Sequence, residues 1–128
     1  MNKKEIVDYW VTEAEESLSV AEHLFEKEDY SYTLFFGHLA VEKIIKAILV
    51  LNTNLQIPRS HNLLRLAQET EIEITEEQKL SLIRITAFNL ESRYPDYKRE
   101  FRNKCTLQFT KLELEKIKEI FIWLKSKL

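Results

Sequence analysis

The sequence predicts an all-α fold, an antiparallel four-helix up-and-down bundle with one extra short helix. Three observations carry that reading. One Gly and two Pro in 128 residues leave almost no chain for sheet turns. Apolar residues recur at three and four over long stretches, and no useful stretch alternates with period two. Hydrophobic residues make up 45% and charged residues 31%, a globular mixture with enough apolar surface for one core. With no repeat, linker or low-complexity tract, residues 1–128 read as a single domain.

The first helix is expected from about Lys4 to Glu26, because Val7, Trp10, Ala14, Leu18, Ala21 and Phe25 form one apolar stripe. Glu13, Glu15, Glu16, Glu22 and Glu26 load its other side. Asp29 is expected to cap a second helix, from about Tyr30 to Leu51, which is apolar over most of its circumference and so central. Its polar residues form a narrow stripe: His38, Glu42 and Lys46, with Lys43 beside Lys46. Asn52 to Ser60 reads as a loop broken by Pro58, and a short helix with Leu63, Leu64, Leu66 and Ala67 starts at Ser60 or His61. Thr75-Glu76-Glu77-Gln78 is a capping box opening a fourth helix, with Leu80, Ile83, Ala87 and Leu90 inward. Pro95 disfavours helix at Tyr94, so that helix ends near Ser92. Asp96 to Thr106 reads equally as helix or basic loop. Thr110-Lys111-Leu112-Glu113 reads as a second capping box, before a last helix with Leu114, Ile117, Phe121, Leu124 and Leu128 on one stripe.

The totals narrow function. No apolar run is long enough to span a bilayer, and no secretory signal follows Met1, so no membrane role is expected. Cys105 is alone, which excludes an internal disulfide and a Cys-based metal site and makes a reducing cytoplasm the natural reading. A net charge of −2 gives no global nucleic-acid signature. The halves differ, however: residues 1–64 carry 6 Lys/Arg against 10 Asp/Glu, and residues 65–128 carry 13 against 11. Residues 93–104 hold Arg93, Lys98, Arg99, Arg102 and Lys104 against Asp96 and Glu100. With Tyr94, Tyr97 and Phe101 among them, this run suits a polyanion, although charge runs are more often solvated faces.

Two readings compete at each candidate site. Glu42 and Lys46 stand in the favourable order for a helix ion pair, yet a polar stripe on a buried helix also suits a wet cleft. His38 on that stripe is either a titrating group or a hydrogen-bonded interface histidine. Arg93 offers a fork for phosphate and Tyr94 a ring for a base, or Arg93 pairs with Glu91 or Asp96 while Tyr94 packs on the core. With one Gly there is no phosphate loop, and His38 with Glu42 supplies too few ligands for a metal, so no cofactor or metal is expected.

Three segments in order carry a family resemblance. They are Phe36-Gly37-His38-Leu39-Ala40-Val41-Glu42-Lys43-Ile44-Ile45-Lys46-Ala47, Pro58-Arg59-Ser60-His61-Asn62-Leu63 and Ser92-Arg93-Tyr94-Pro95-Asp96. The series resembles the HEPN family (higher eukaryotes and prokaryotes nucleotide-binding domain). The resemblance implies a homodimer built on the second and fourth helices, and a groove lined by Lys43, Lys46, Arg93 and Tyr94. Arg93 and Lys46 would meet phosphate, Tyr94 would orient the ligand, Glu42 would position Lys46, and Asp96 would be a further ligand-binding residue. It also implies a small nucleotidyltransferase as partner, in a two-part system of toxin–antitoxin type, with a nucleotide or RNA as ligand. His61 falls on the family's H-x-L motif, where a structural role is favoured.

Many members of that family are metal-independent RNases, and the resemblance places their activity on an Arg followed, after four to six residues, by a His. Here no Arg precedes a His at that spacing; the nearest echo is Arg84 with Asn89 in place of His. Asn cannot exchange a proton at neutral pH. Binding is therefore expected over catalysis, and an RNase built on this chain would have to use Arg84 or Arg93 with His38. A helical adaptor that merely packs on a partner is the third reading.

Overall fold

The computed structural model describes residues 1–54, 56–93 and 99–128, and at 90, 92 and 93 only their place in a helix. Six helices and no strand are found among the described residues: α1 Lys3–Glu26, α2 Tyr30–Asn52, α3 Leu63–Glu69, α4 Glu76–Arg93, α5 Glu100–Lys104 and α6 Leu107–Lys125. The all-α expectation holds. There are two short helices rather than one, because Arg99 takes a left-handed conformation (φ 55°) that starts α5 and seats Phe101 against Phe88, ring centroids 6.0 Å apart.

Asn2 starts α1 by accepting the Glu5 N–H at 2.8 Å, and the chain reverses at Glu28 in the left-handed region. The expected α1 stripe is the one that packs on α2. At the start of α2 the expected cap is corrected: the Asp29 side chain makes no capping bond, and its backbone carbonyl instead accepts the Thr33 hydroxyl at 3.0 Å. Helix α2 is the core of the molecule, packed by α1, α3, α4, α5 and α6. Ile44, Ile45 and Ile48 on it are fully buried, each stabilising the fold by about 1.5–3 kcal/mol. Gly37 lets α6 come close to α2, since a Cβ there would lie 2.7 Å from Ile117 Cδ1.

The short helix α3 starts later than expected because Asn62, not Ser60 or His61, accepts the Arg65 N–H at 3.1 Å. The first capping box is present, with Thr75 N–H donating to Gln78 Oε1 (2.9 Å) and Gln78 N–H to Thr75 Oγ1 (3.2 Å). The second is not. Thr106 caps α6 by accepting the Phe109 N–H, so Thr110 lies a full turn inside the helix, wholly buried. Leu114, Ile117, Phe121 and Leu124 face the core as expected, whereas Leu128 lies past the helix end and is 39% exposed.

The largest correction concerns α4. Among its described side chains Leu82, Ile85, Phe88 and Asn89 are buried, while Leu80 (67% exposed), Ile83 (53%) and Ala87 lie outside; the Leu90 side chain, also expected inward, lies outside the described residues. Two apolar lines run along this helix at helical spacing, and periodicity alone cannot choose between them. The line that wins carries Phe88, the larger payload. Among the described residues no helix is long and apolar enough to cross a membrane.

Candidate functional site

A buried carboxylate needs donors, and Glu42, 4% exposed on the central helix, finds three neighbours. Its Oε1 accepts the His61 Nδ1–H at 2.7 Å, and its Oε2 accepts from Lys46 Nζ at 2.9 Å. His38 Nε2 lies 3.9 Å from Oε1 and donates at 3.2 Å to the His61 carbonyl. Both tautomers follow from the partners: a ring nitrogen facing a carboxylate or carbonyl oxygen must carry the proton. His38 Nδ1 is then a bare acceptor, wholly buried and without a partner among the described residues.

Burial pushes the Glu42 carboxyl upward, but hydrogen bonds from His61 and Lys46 outweigh it and hold the group below its ordinary range. Burial dominates at His38 and lowers its pKa, so this ring stays neutral. Lys46 also lies over the Trp10 ring at 5.3 Å, and Lys43 donates to Ser17 Oγ at 2.9 Å. Among the described residues the stripe is met by other segments of the chain. It is folded between α1 and the chain entering α3, and its charges are spent holding those two segments on α2. The expected Glu42–Lys46 pair is present, but His38 is not placed to meet a substrate, with no part of it exposed.

Arg84 forms a second, separate arrangement. It is half exposed at the α4–α6 seam and grips the buried Glu113 carboxylate in bidentate fashion, Nε to Oε2 at 2.8 Å and a second nitrogen to Oε1. That grip raises the already high Arg84 pKa. Lys116 stands 4.0 Å from the same carboxylate. Beside them a cleft of about 790 Å³ is lined by Thr75, Gln78, Arg84, Lys116, Glu119 and Trp123. Asn89 is 6% exposed, and its Oδ1 has no partner among the described residues. Arg84 and Asn89 therefore do not share a site.

Tyr94 and Asp96 lie outside the described residues, and of Arg93 only its place at the end of α4 is described. Of the basic run that follows, Arg102 donates to the Tyr32 hydroxyl at 2.8 Å with its guanidinium over that ring, and Lys104 lies over Phe109. No group of three or more His, Cys, Asp or Glu among the described residues is placed to share a metal ion.

Sequence reasoning missed the two long-range pairings, His61–Glu42 and Arg84–Glu113. The signal for the first was present: a lone carboxylate on a helix apolar nearly all round must be met from another element. Nothing in the sequence signalled the second.

The HEPN domain model matches residues 7–127, nearly the whole chain. The structure is similar to the crystal structure of TT1696 from Thermus thermophilus, with a TM-score of 0.83 at 19% identity over 95% of this chain and 98% of that one. Among curated proteins none matches.

Proposed function

Because the chain belongs to the HEPN family, we propose that it is a nucleotide-binding interaction component, homodimeric, paired with a small nucleotidyltransferase in a two-part system of toxin–antitoxin type. The observation that carries the interaction half is the outer face of α4. Leu80, Ile83 and Ala87 form an exposed apolar line, continued on α6 by Leu112, 59% exposed. A charge-neutralised arginine beside an exposed apolar line suits a protein interface. The dimer surface in this reading is α4 with the near side of α6, in place of the second and fourth helices together.

Binding is favoured over cleavage by the same geometry. Arg84 is committed to Glu113, Asn89 points inward, and His38 is buried and held neutral. None of the three presents an acid–base pair to an RNA backbone.

Sedimentation and calorimetry test the reading together. The wild type is expected to sediment as a dimer, and Leu80→Glu with Ile83→Glu as a helical monomer. ATP, GTP or a short RNA is expected to release or take up heat with the dimer. RNA cleavage in excess chelator that disappears in Arg84→Ala or Arg93→Ala would overturn the binding reading in favour of a toxin-like RNase.

A further inference from the structure

His61 is the group in this molecule most nearly built as a presented imidazole. Its Nδ1–H is fixed by Glu42 at 2.7 Å, and Glu42 is itself immobilised by Lys46 on its other oxygen. The ring is nonetheless 54% exposed. Its Nε2 edge has no partner among the described residues. A buried carboxylate on one nitrogen and solvent at the other is the arrangement by which proteins orient a histidine toward something outside.

The surroundings say what that something is. Residues 53–68 contain Arg59 and Arg65 and no Asp or Glu. Arg59 is exposed, and Arg65 is 66% exposed with Glu69 at 3.7 Å as its ion partner. The segment is also stiffened: Ser60 Oγ accepts the Asn62 N–H, Asn62 caps α3, and Thr86 Oγ1 accepts the Leu63 N–H at 3.1 Å. Lys46, expected to meet phosphate with Arg93, is engaged with Glu42, and Lys43 of the expected groove with Ser17.

We propose that His61, oriented by Glu42 on a segment that also carries Arg59, is a phosphate-contacting group of this protein, donating from Nε2 to a phosphate oxygen. This assignment rests on the nucleotide-binding reading above and adds to it a phosphate contact on the chain entering α3, in place of Lys46. In the imidazolium both nitrogens donate, Nδ1 to Glu42 and Nε2 to the anion. Glu42 is the charged group in contact with the ring, Lys46 stands on the other oxygen of Glu42, the His38 ring lies 6.3 Å away, and Arg59 and Arg65 belong to the same segment of chain.

The chain has three histidines, so their ring signals can be followed singly by NMR. Titration with tripolyphosphate at pH 6 should move His61 and leave exposed His23 unmoved. His61→Gln should lose about tenfold in affinity. Glu42→Gln should also bind more weakly, with the His38 signal reporting that the fold persists. Unmoved His61 signals, or His61→Gln binding as tightly as the wild type, would overturn the assignment. Binding of ATP or a six-nucleotide RNA with His61 silent would sink this inference and leave the nucleotide reading intact. A His61 response to tripolyphosphate that neither nucleotide improves would do the reverse.

Discussion

Glu42→Gln keeps the volume of the buried side chain and removes its charge. In the wild type the two carboxylate oxygens each serve one donor, His61 Nδ1–H and Lys46 Nζ. Gln has one acceptor oxygen, and its amide NH2 must turn toward the other donor, so one of the two loses its partner. Orphaning a buried partner of an ion pair costs about 3–5 kcal/mol. Here the orphans reach water, Lys46 at 15% exposure and His61 at 54%, which reduces the expected loss to about 2 kcal/mol. Unfolding entropy near 2.1 cal/mol/K per residue, over 128 residues, converts this to a fall of about 7 °C in Tm. The pH dependence sharpens the test. A carboxyl with a lowered native pKa stabilises fully above its ordinary value of 4.5 and loses that contribution as pH falls through the native one. Thermal melts followed by circular dichroism should therefore show the two proteins well apart at pH 7 and converging at low pH. A variant that melts with the wild type at pH 7, or a gap that persists undiminished in acid, would refute the account of Glu42 as a charged hub.

Four further outcomes follow from the packing. His38→Gln should flatten the stability curve below about pH 6.5, because a histidine with a lowered native pKa destabilises the fold progressively as acid charges the unfolded chain; urea titrations across pH check it. Thr75→Ala should cost about 1 kcal/mol by opening the capping box at the start of α4, a drop of about 4 °C in a thermal melt. Thr110→Val should be neutral or stabilising in the same assay, since the Thr110 hydroxyl is buried with no partner among the described residues. Gly37→Val should destabilise by about 1–3 kcal/mol, and Ile117→Val should recover part of that loss in a denaturant melt, because Ile117 Cδ1 is the atom the new side chain meets first.

Helix existence was legible wherever one strong signal stood alone. The α1 stripe, the apolar circumference of α2 and the Thr75–Gln78 box each had a single structural solution, and each is realised. Legibility failed where two local signals competed. Thr106 and Thr110 both precede helical runs, and the chain uses the earlier one because Thr110 and Glu113 are needed inside, one in the core and one under Arg84. The Glu42–Lys46 pair was legible because four residues on a helix are neighbours. His61–Glu42, nineteen residues apart, and Arg84–Glu113, twenty-nine apart, depend on how elements dock, which local spacing does not encode.

The phase of α4 decides more than packing. At 3.6 residues per turn, positions 84 and 89 lie about 140° apart around the helix, so one inward-facing side sends the two residues to different environments. With Leu82, Ile85 and Phe88 turned in, Asn89 goes into the core, and Leu80, Ile83, Arg84 and Ala87 are turned out together. An outward arginine at this seam then needs a counter-charge, and α6 supplies Glu113 from its buried side, which would otherwise be an uncompensated carboxylate. The exposed apolar line and the committed arginine are two results of one rotation. If so, the pair is structural before it is functional: Glu113→Gln should lower Tm as well as weaken the dimer, whereas Leu80→Glu should weaken the dimer alone. A Glu113→Gln protein with wild-type Tm and a weakened dimer would show that Glu113 acts across the interface and not beneath it.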